Sequence, residues 1–591
     1  MSLHDQLLAA EVIRPLDHEL ARSLQRLRPE TEASVLAAAA LASLAVSLGH
    51  AGFDPARPSM LLPAQLEAPL PVWPGAAEWT AALQASPWVA QPAQAEAEAD
   101  SSQPLVYEGG LLYLRRYREY ERRLAAGLQR IAAVTPPASA LAPLQPLFAL
   151  LFPQASSGED LQARAAELAL QRNLLLVTGG PGTGKTTTIA RMLLLRLAQA
   201  QLAQQSPPRI ALAAPTGRAA DRMAESLHRA AASNPEVDPA LRAALPERAS
   251  TLHRLLGVIP DSPRFRHHAE NQLPYDIIVV DEASMVDLPM MCKLVEAIAD
   301  GTQLVLLGDP DQLPSVETGD VLAAILKACG DGEALAGHRV QLKRGYRQTD
   351  SLQLAPLAQA MREGDAGTAL TLLRGKELSG VHFHEAAEDP LRLQGAHLFA
   401  HWQALANASD PETALQQAGR LRILTAVREG PQGARGLNAR IEQRLANALN
   451  ESGRTGRRSP WFQGRLLLIT ENSYRHGLFN GDVGVCLRDQ QGTMLAWFAG
   501  ADGPRPFHPA ALPAHESAFA MTVHKAQGSE FDEVWLQLPR RDNRVLSREL
   551  LYTGATRARS VLHLAGSEEV VRSALARHAA RISGLAWRLQ T

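Results

Sequence analysis

One stretch narrows the fold of this chain more than any other. Gly179-Gly-Pro-Gly-Thr-Gly-Lys185-Thr186 lies between the apolar run Leu174–Val177 and a helix-forming segment that begins at Thr186. It fits G-x-x-x-x-G-K-[ST] in the strand–loop–helix setting that gives this pattern its meaning. Glycines let the backbone curl until its N–H groups face an anion at a helix N-terminus. Gly180, Pro181, Gly182, Thr183, Gly184, Lys185, Thr186 and Thr187 are therefore the candidate phosphate cradle. Lys185 brings a point charge to the outer phosphates and Thr186 a hydroxyl for Mg²⁺.

Such a loop needs a parallel α/β sheet around it, and the sequence supplies the strands. Leu174–Val177, Ile210–Ala213, Ile277–Val280 and Leu304–Leu307 are short, nearly continuous apolar runs, as in strands buried on both faces. A second set follows at Leu421–Leu424, Val534–Leu538 and Val561–Leu564. Between these sets, shorter runs at Leu466–Thr470, Val483–Leu487 and Met494–Phe498 are punctuated by Asn480-Gly-Asp and Gln490-Gln-Gly, which predicts a small inserted β-barrel over about 460–512. The first 134 residues read as a mostly helical domain with a core helix at Val35–Leu48, a hairpin about Gly109-Gly110, and an arginine-rich helix (Arg115, Arg116, Arg118, Arg122, Arg123) read as a solvated face. Proline-rich 135–158 reads as a linker, and acidic Ala95–Ser102 as a solvated loop.

Asp281-Glu282 ends an apolar strand. There the first carboxylate can hold the Mg²⁺ shell with Thr186, and the second can orient or deprotonate the attacking water. Gly308-Asp-Pro-Asp-Gln312 ends another strand, and Tyr346-Arg347 and Tyr552–Arg559 offer arginines from outside the P-loop lobe. Each of these arginines, taken singly, also fits an ordinary surface role. A formal charge of −2 carries no overall basic footprint, so any nucleic-acid surface must be a local groove. Cys292, Cys329 and Cys486 lie far apart and form no CxxC pair, which suits a reducing compartment rather than a disulfide framework. The N-terminus has no secretory pattern, and the expected location is the cytoplasm.

The ordered motifs identify a family. Gln162, Ala214–Met223, Ser250–Gly257, Val279–Met291, Gly308–Val316, Gly345–Gln348, Leu424–Glu442, Met521–Asp532 and Leu550–Arg559 together resemble the superfamily 1B helicases. Within these, Val427–Glu442 resembles the RecD family, the α subunits of bacterial RecBCD (exonuclease V) complexes. The resemblance implies two RecA-like motor domains, at 159–342 and 343–591, with an SH3-like barrel in the second. It implies ATP and Mg²⁺ as cofactors, RecB-like and RecC-like partners in a heterotrimer, and 5′→3′ DNA unwinding.

By position, it further implies that Gln162 reads adenine and that Gln312 senses the γ-phosphate. Arg347 and Arg557 would close the cleft, and Glu530 would contact the ribose. Thr216, Thr251, His253, Thr522 and His524 fall in motifs that line the single-strand track. The segment 257–274 lies where relatives carry a duplex-splitting hairpin. Phe265 beside Arg264, Arg266, His267 and His268 suits base stacking and phosphate contact there, although a plain surface loop fits the same composition. No nuclease-like cluster of acids is visible outside the ATP motifs, so a nuclease site is expected on another subunit. A non-hydrolysing scaffold subunit and a stand-alone helicase stay open as alternatives.

Overall fold

The structure, a computed structural model, describes residues 2–62, 72–92, 102–135, 142–155, 160–343, 352–385, 389–451, 460–473, 475–500 and 503–590. Arg347, with the rest of its motif, and most of the acidic stretch at 95–102 lie outside the described residues.

The apolar runs form two parallel sheets. The first has six strands in the order Ser250–Thr251, Ile210–Ala214, Ile277–Val280, Gln303–Gly308, Leu174–Gly179 and Arg339–Leu342. Its three central strands are buried at every position because helices cover both faces. The second runs Val381–Glu385, Ala558–Gly566, Phe531–Gln537, Leu421–Thr425 and Ala520–Thr522, also all parallel. Buried Trp402 and Trp535 anchor its core. The two sheets match the expected pair of RecA-like lobes.

Between strands of the second sheet the chain makes an antiparallel sheet in the order Arg505–Phe507, Met494–Phe498, Val483–Arg488, Leu466–Ile469 and His515–Ser517. It has a small core of its own around Leu467, Ile469, Cys486 and Phe498. Its two outer strands went unread in the sequence; at three residues each, they are too short to show a period.

The N-terminal part packs helices Leu3–Ala9, Pro15–Leu27, Ala33–Ser47, Ala76–Ala85 and Arg115–Ala133 around the small sheet Val89–Ala90, Leu105–Glu108, Leu111–Leu114. Helix Ala33–Ser47 is buried almost continuously from Val35 to Ala45. The hairpin turns at Gly109 and Gly110, whose φ values of 59° and 81° suit a tight antiparallel turn that other residues resist.

Two expectations are corrected. The arginine-rich helix is not a solvated face. Arg118 is fully buried and pairs with Glu108 and Glu119, each at 2.8 Å, and Arg123 reaches Glu296 of the first lobe at 2.9 Å. The helix lies between the hairpin and helix Leu288–Ala297, and the paired carboxylates offset the cost of enclosing the guanidinium. The linker is also shorter than expected. Leu144, Leu151 and Phe152 are buried in the first lobe's core, so 142–152 belongs to that packing unit. Among the described residues no helix is long and apolar enough to cross a membrane, and the three cysteines are free and buried.

Candidate active site

Strand order decides what meets at the site. Gln303–Gly308 lies between Leu174–Gly179 and Ile277–Val280 in the sheet, so the loops leaving their carboxyl ends converge. They carry the P-loop, Asp281-Glu282 and Asp309–Gln312. The P-loop curls through Gly182 and Gly184 at φ values of 77° and 83°, and helix Lys185–Leu202 starts at once. Lys185 Nζ folds back to donate to Gly179 O at 2.5 Å and Gly180 O at 3.1 Å. Thr183 Oγ1 donates to Gly180 O at 2.8 Å, while Thr186 and Thr187 stay half-buried beside the loop. Gln162, capped into its helix by Asp160, donates to Thr183 O at 3.3 Å and accepts from Arg191 at 3.2 Å, so it stands against the P-loop.

Asp281 takes a backbone bond from Glu282 N at 2.8 Å, and Glu282 adopts φ 51°, a left-handed conformation that a non-glycine residue holds only under local constraint. Burial and the adjacent Glu282 carboxylate push Asp281 up to about 6. Gln312 is buried; its Nε2 donates to Asp309 Oδ2 at 3.2 Å and its Oε1 has no partner among the described residues. A buried amide oxygen without a donor calls for a ligand or an ordered water.

The second lobe closes over these groups. Tyr552 donates its hydroxyl to Asp309 Oδ2 at 2.9 Å, and Leu313 N donates to Thr553 Oγ1 at 2.8 Å. Gln527 Nε2 donates to Leu313 O at 2.9 Å. Farther along the seam, Arg218 reaches Ser529 Oγ at 3.2 Å and Arg222 reaches Gly528 O at 2.8 Å. Glu530 forms ion pairs with Arg222 of the first lobe at 2.8 Å and with Arg559 at 3.2 Å. Arg557 is buried, donating to Thr553 O at 3.1 Å and Ser529 O at 3.3 Å, so its described hydrogen bonds stay within its own lobe. The reading of the sequence missed Tyr552, Thr553, Arg218 and Arg222 as contacts across the seam. They stand inside quoted motifs, but nothing local marks them as facing the other lobe.

The residues expected along a strand track are mostly placed by helix starts. Thr216 and Thr251 cap helices, accepting from Ala219 N at 3.2 Å and Arg254 N at 3.3 Å. Segment 257–274 does double back, with antiparallel bridges Val258–Phe265 and His268–Asn271. Phe265 is not a free stacking face: it packs partly buried, edge-on to His253 at 5.9 Å and under Lys293 at 4.9 Å. Burial and Lys293 lower His253, and burial with Arg581 lowers His524. Thr522 lines a cavity of about 210 Å³ together with Arg428, Arg435, Arg465 and Lys525.

Comparison with known proteins places these features in a lineage. The family model for the RecBCD enzyme subunit RecD, N-terminal domain, matches residues 9–113. An AAA domain matches 162–318, and a UvrD-like helicase C-terminal domain matches 517–565. The RecBCD enzyme subunit RecD of Mycobacterium tuberculosis (strain H37Rv) is 42% identical over 527 residues, covering 88% of this chain and 85% of that protein. The RecBCD enzyme subunit RecD of Mycolicibacterium smegmatis is 39% identical over 586 residues, 98% of each chain. The ATP-dependent RecD2 DNA helicase of Deinococcus radiodurans is 31% identical over 474 residues, covering 79% of this chain and 57% of that protein.

Proposed function

The chain belongs to the family of RecBCD enzyme RecD subunits, and from that premise we propose that it is an ATP-driven 5′→3′ DNA translocase and helicase. It works in the cytoplasm with RecB-like and RecC-like chains in a heterotrimer that processes double-strand DNA ends for recombinational repair, with the nuclease site on another subunit. The observation that carries this reading is the cleft itself. Lys185, Asp281, Glu282 and Gln312 stand on one lobe, and Tyr552 and Arg557 come from the other.

Among the described residues Lys185 donates to two neutral carbonyls, and anionic phosphate oxygens outcompete them. Gln162 orients the base and Glu530 the ribose. Thr186 and Asp281 would hold Mg²⁺. The fit rests on the donor set: a Thr186 hydroxyl and the adjacent Asp281 and Glu282 carboxylates are hard oxygen donors of the kind a divalent cation takes. When bound, the metal neutralises charge on the phosphate oxygens. Glu282 orients the attacking water and takes its proton, while Gln312 Oε1, without a donor among the described residues, accepts from that water. Arg557 leaves the Thr553 and Ser529 carbonyls to meet charge developing on the γ-phosphate, with Arg347 as its companion. Closing and releasing the seam once per ATP becomes a step along DNA if each lobe holds the strand. Thr216, Thr251, His253, Thr522 and His524 line that track, the 257–274 hairpin meets the fork, the SH3-like insertion flanks the DNA, and the N-terminal domain docks partners.

The test is strand displacement on two duplexes differing only in tail polarity, with Lys185→Gln as the blank. The 5′-tailed substrate is unwound and the 3′-tailed one is not, with unwinding weakening as salt rises because phosphate contacts release counterions. Preference for the 3′ tail overturns the polarity, and loss of both activities in wild type overturns the motor.

A further inference from the structure

The loop that bears Gln312 is held from a side that the ATP cleft does not reach. Its tip, Val316-Glu317, is exposed, so apolar packing does not place it. Anchors on its flanks do. Arg581, near the end of the chain, donates from Nη2 to Ser315 O at 2.5 Å and from Nη1 to Glu317 O. The same guanidinium reaches Gly49 O of the N-terminal domain at 3.2 Å. Around it, Gly319 N donates to Gly49 O at 2.8 Å and Thr318 Oγ1 to Val46 O at 3.3 Å. The tail that carries Arg581 is seated on the same domain: Ile582 N donates to His50 Nδ1 at 2.9 Å, and Ala51 N to Ile582 O at 2.8 Å. Within a few residues of these contacts, Leu313 is bonded to Thr553 and Gln527 of the second lobe. One short loop thus joins the hydrolysis site, the second lobe and the N-terminal domain.

We propose that Arg581 is a positioning residue for ATP hydrolysis, clamping the Gln312 loop to the exit of helix Ala33–Ser47 so that turnover depends on how the N-terminal domain is seated. The inference rests on the ATPase reading above and deepens it: a partner that shifts the N-terminal domain tunes hydrolysis through this clamp. Gly49 completes the arrangement. It has φ +87°, and a Cβ there would run into the Arg581 guanidinium, so a single methyl group on the N-terminal domain displaces the clamp without changing a side chain of either motor lobe.

The experiment measures single-stranded-DNA-stimulated ATP turnover of the full chain as wild type, Arg581→Ala, Arg581→Lys and Gly49→Ala, with thermal melting of each. Arg581→Ala and Gly49→Ala lower kcat by about tenfold, the scale of a misplaced catalytic group, and leave KM for ATP within roughly twofold because the phosphate contacts are untouched. Arg581→Lys recovers part of the loss, since an ammonium can still bond one or two of the carbonyls. Unchanged kcat in the alanine variants at wild-type melting overturns the proposal and leaves the ATPase reading standing. A joint fall of kcat and melting temperature that lysine does not rescue overturns it too, by showing general destabilisation. A wild-type chain without DNA-stimulated turnover overturns the ATPase reading and this inference with it.

Discussion

The Tyr552 hydroxyl donates to Asp309 Oδ2 at 2.9 Å, across the seam between the two lobes, on the same carboxylate that accepts from Gln312 Nε2. A β-carbon added to Gly180 would lie 2.9 Å from that hydroxyl, so the tyrosine also roofs the P-loop. One buried side chain of the second lobe therefore touches both the phosphate loop and the group that orients the candidate sensor. Burial, and then the Asp309 carboxylate, raise the Tyr552 phenol, so it remains a donor at working pH.

Tyr552→Phe keeps the packing and removes the bond. Asp309 is left with less donation, and Gln312 loses the fixed partner that aims its amide. Steady-state kinetics should show DNA-stimulated kcat down by about tenfold, equivalent to about 1.4 kcal/mol, with KM for ATP little changed. Equal kcat in the two proteins removes Tyr552 from the coupling between lobes.

Arg557→Ala should separate binding from chemistry. On the proposed reading the ground-state phosphate contacts come from the P-loop lobe, so nucleotide binding measured by calorimetry should persist. Turnover falls by roughly 10³–10⁵, the range of an arginine finger. Because Arg557 also ties Thr553 to Ser529 inside its lobe, the melting temperature is measured in parallel. A parallel loss of affinity and rate would identify a uniform binder.

His50 supplies a pH test. Burial, then the Arg581 charge, push its imidazole down to about 4, below the ordinary 6.5. The unfolded chain therefore takes up the proton first, so this contribution to stability is complete above about 6.5 and is lost as the pH falls toward 4. In His50→Gln, whose amide oxygen can still accept from Ile582 N, that loss is absent. Melting midpoints taken from about pH 8 to about pH 5 should converge or cross, wild type falling faster than the variant. Parallel curves would show that His50 titrates normally.

Much of the candidate site was legible because it is contiguous. The P-loop, Asp281-Glu282 and Gln312 each follow directly on an apolar strand, and a buried parallel strand delivers its next residue to the carboxyl edge of the sheet. Arg118 shows where this reasoning stops. An arginine-rich helical face reads as solvated until another element covers it, and here helix Leu288–Ala297 and the acid Glu108 do so. Phe265 repeats the lesson, since its composition suits stacking but Lys293 and His253 already cover it.

From sequence alone came the parallel α/β class, the candidate nucleotide cradle, the acid pair and the order of the motifs, because each depends on neighbours within a few residues and on backbone periodicity. Tertiary structure alone decided that Tyr552 answers Asp309 across 243 residues of chain and that Arg581 grips Ser315 across 266. It also decided that Arg557 rests on carbonyls of its own lobe. A hydrogen bond between distant segments has no local signature. It forms only when the folding of both lobes and the N-terminal domain fixes the two partners within about 3 Å, and nothing in the intervening residues encodes that distance.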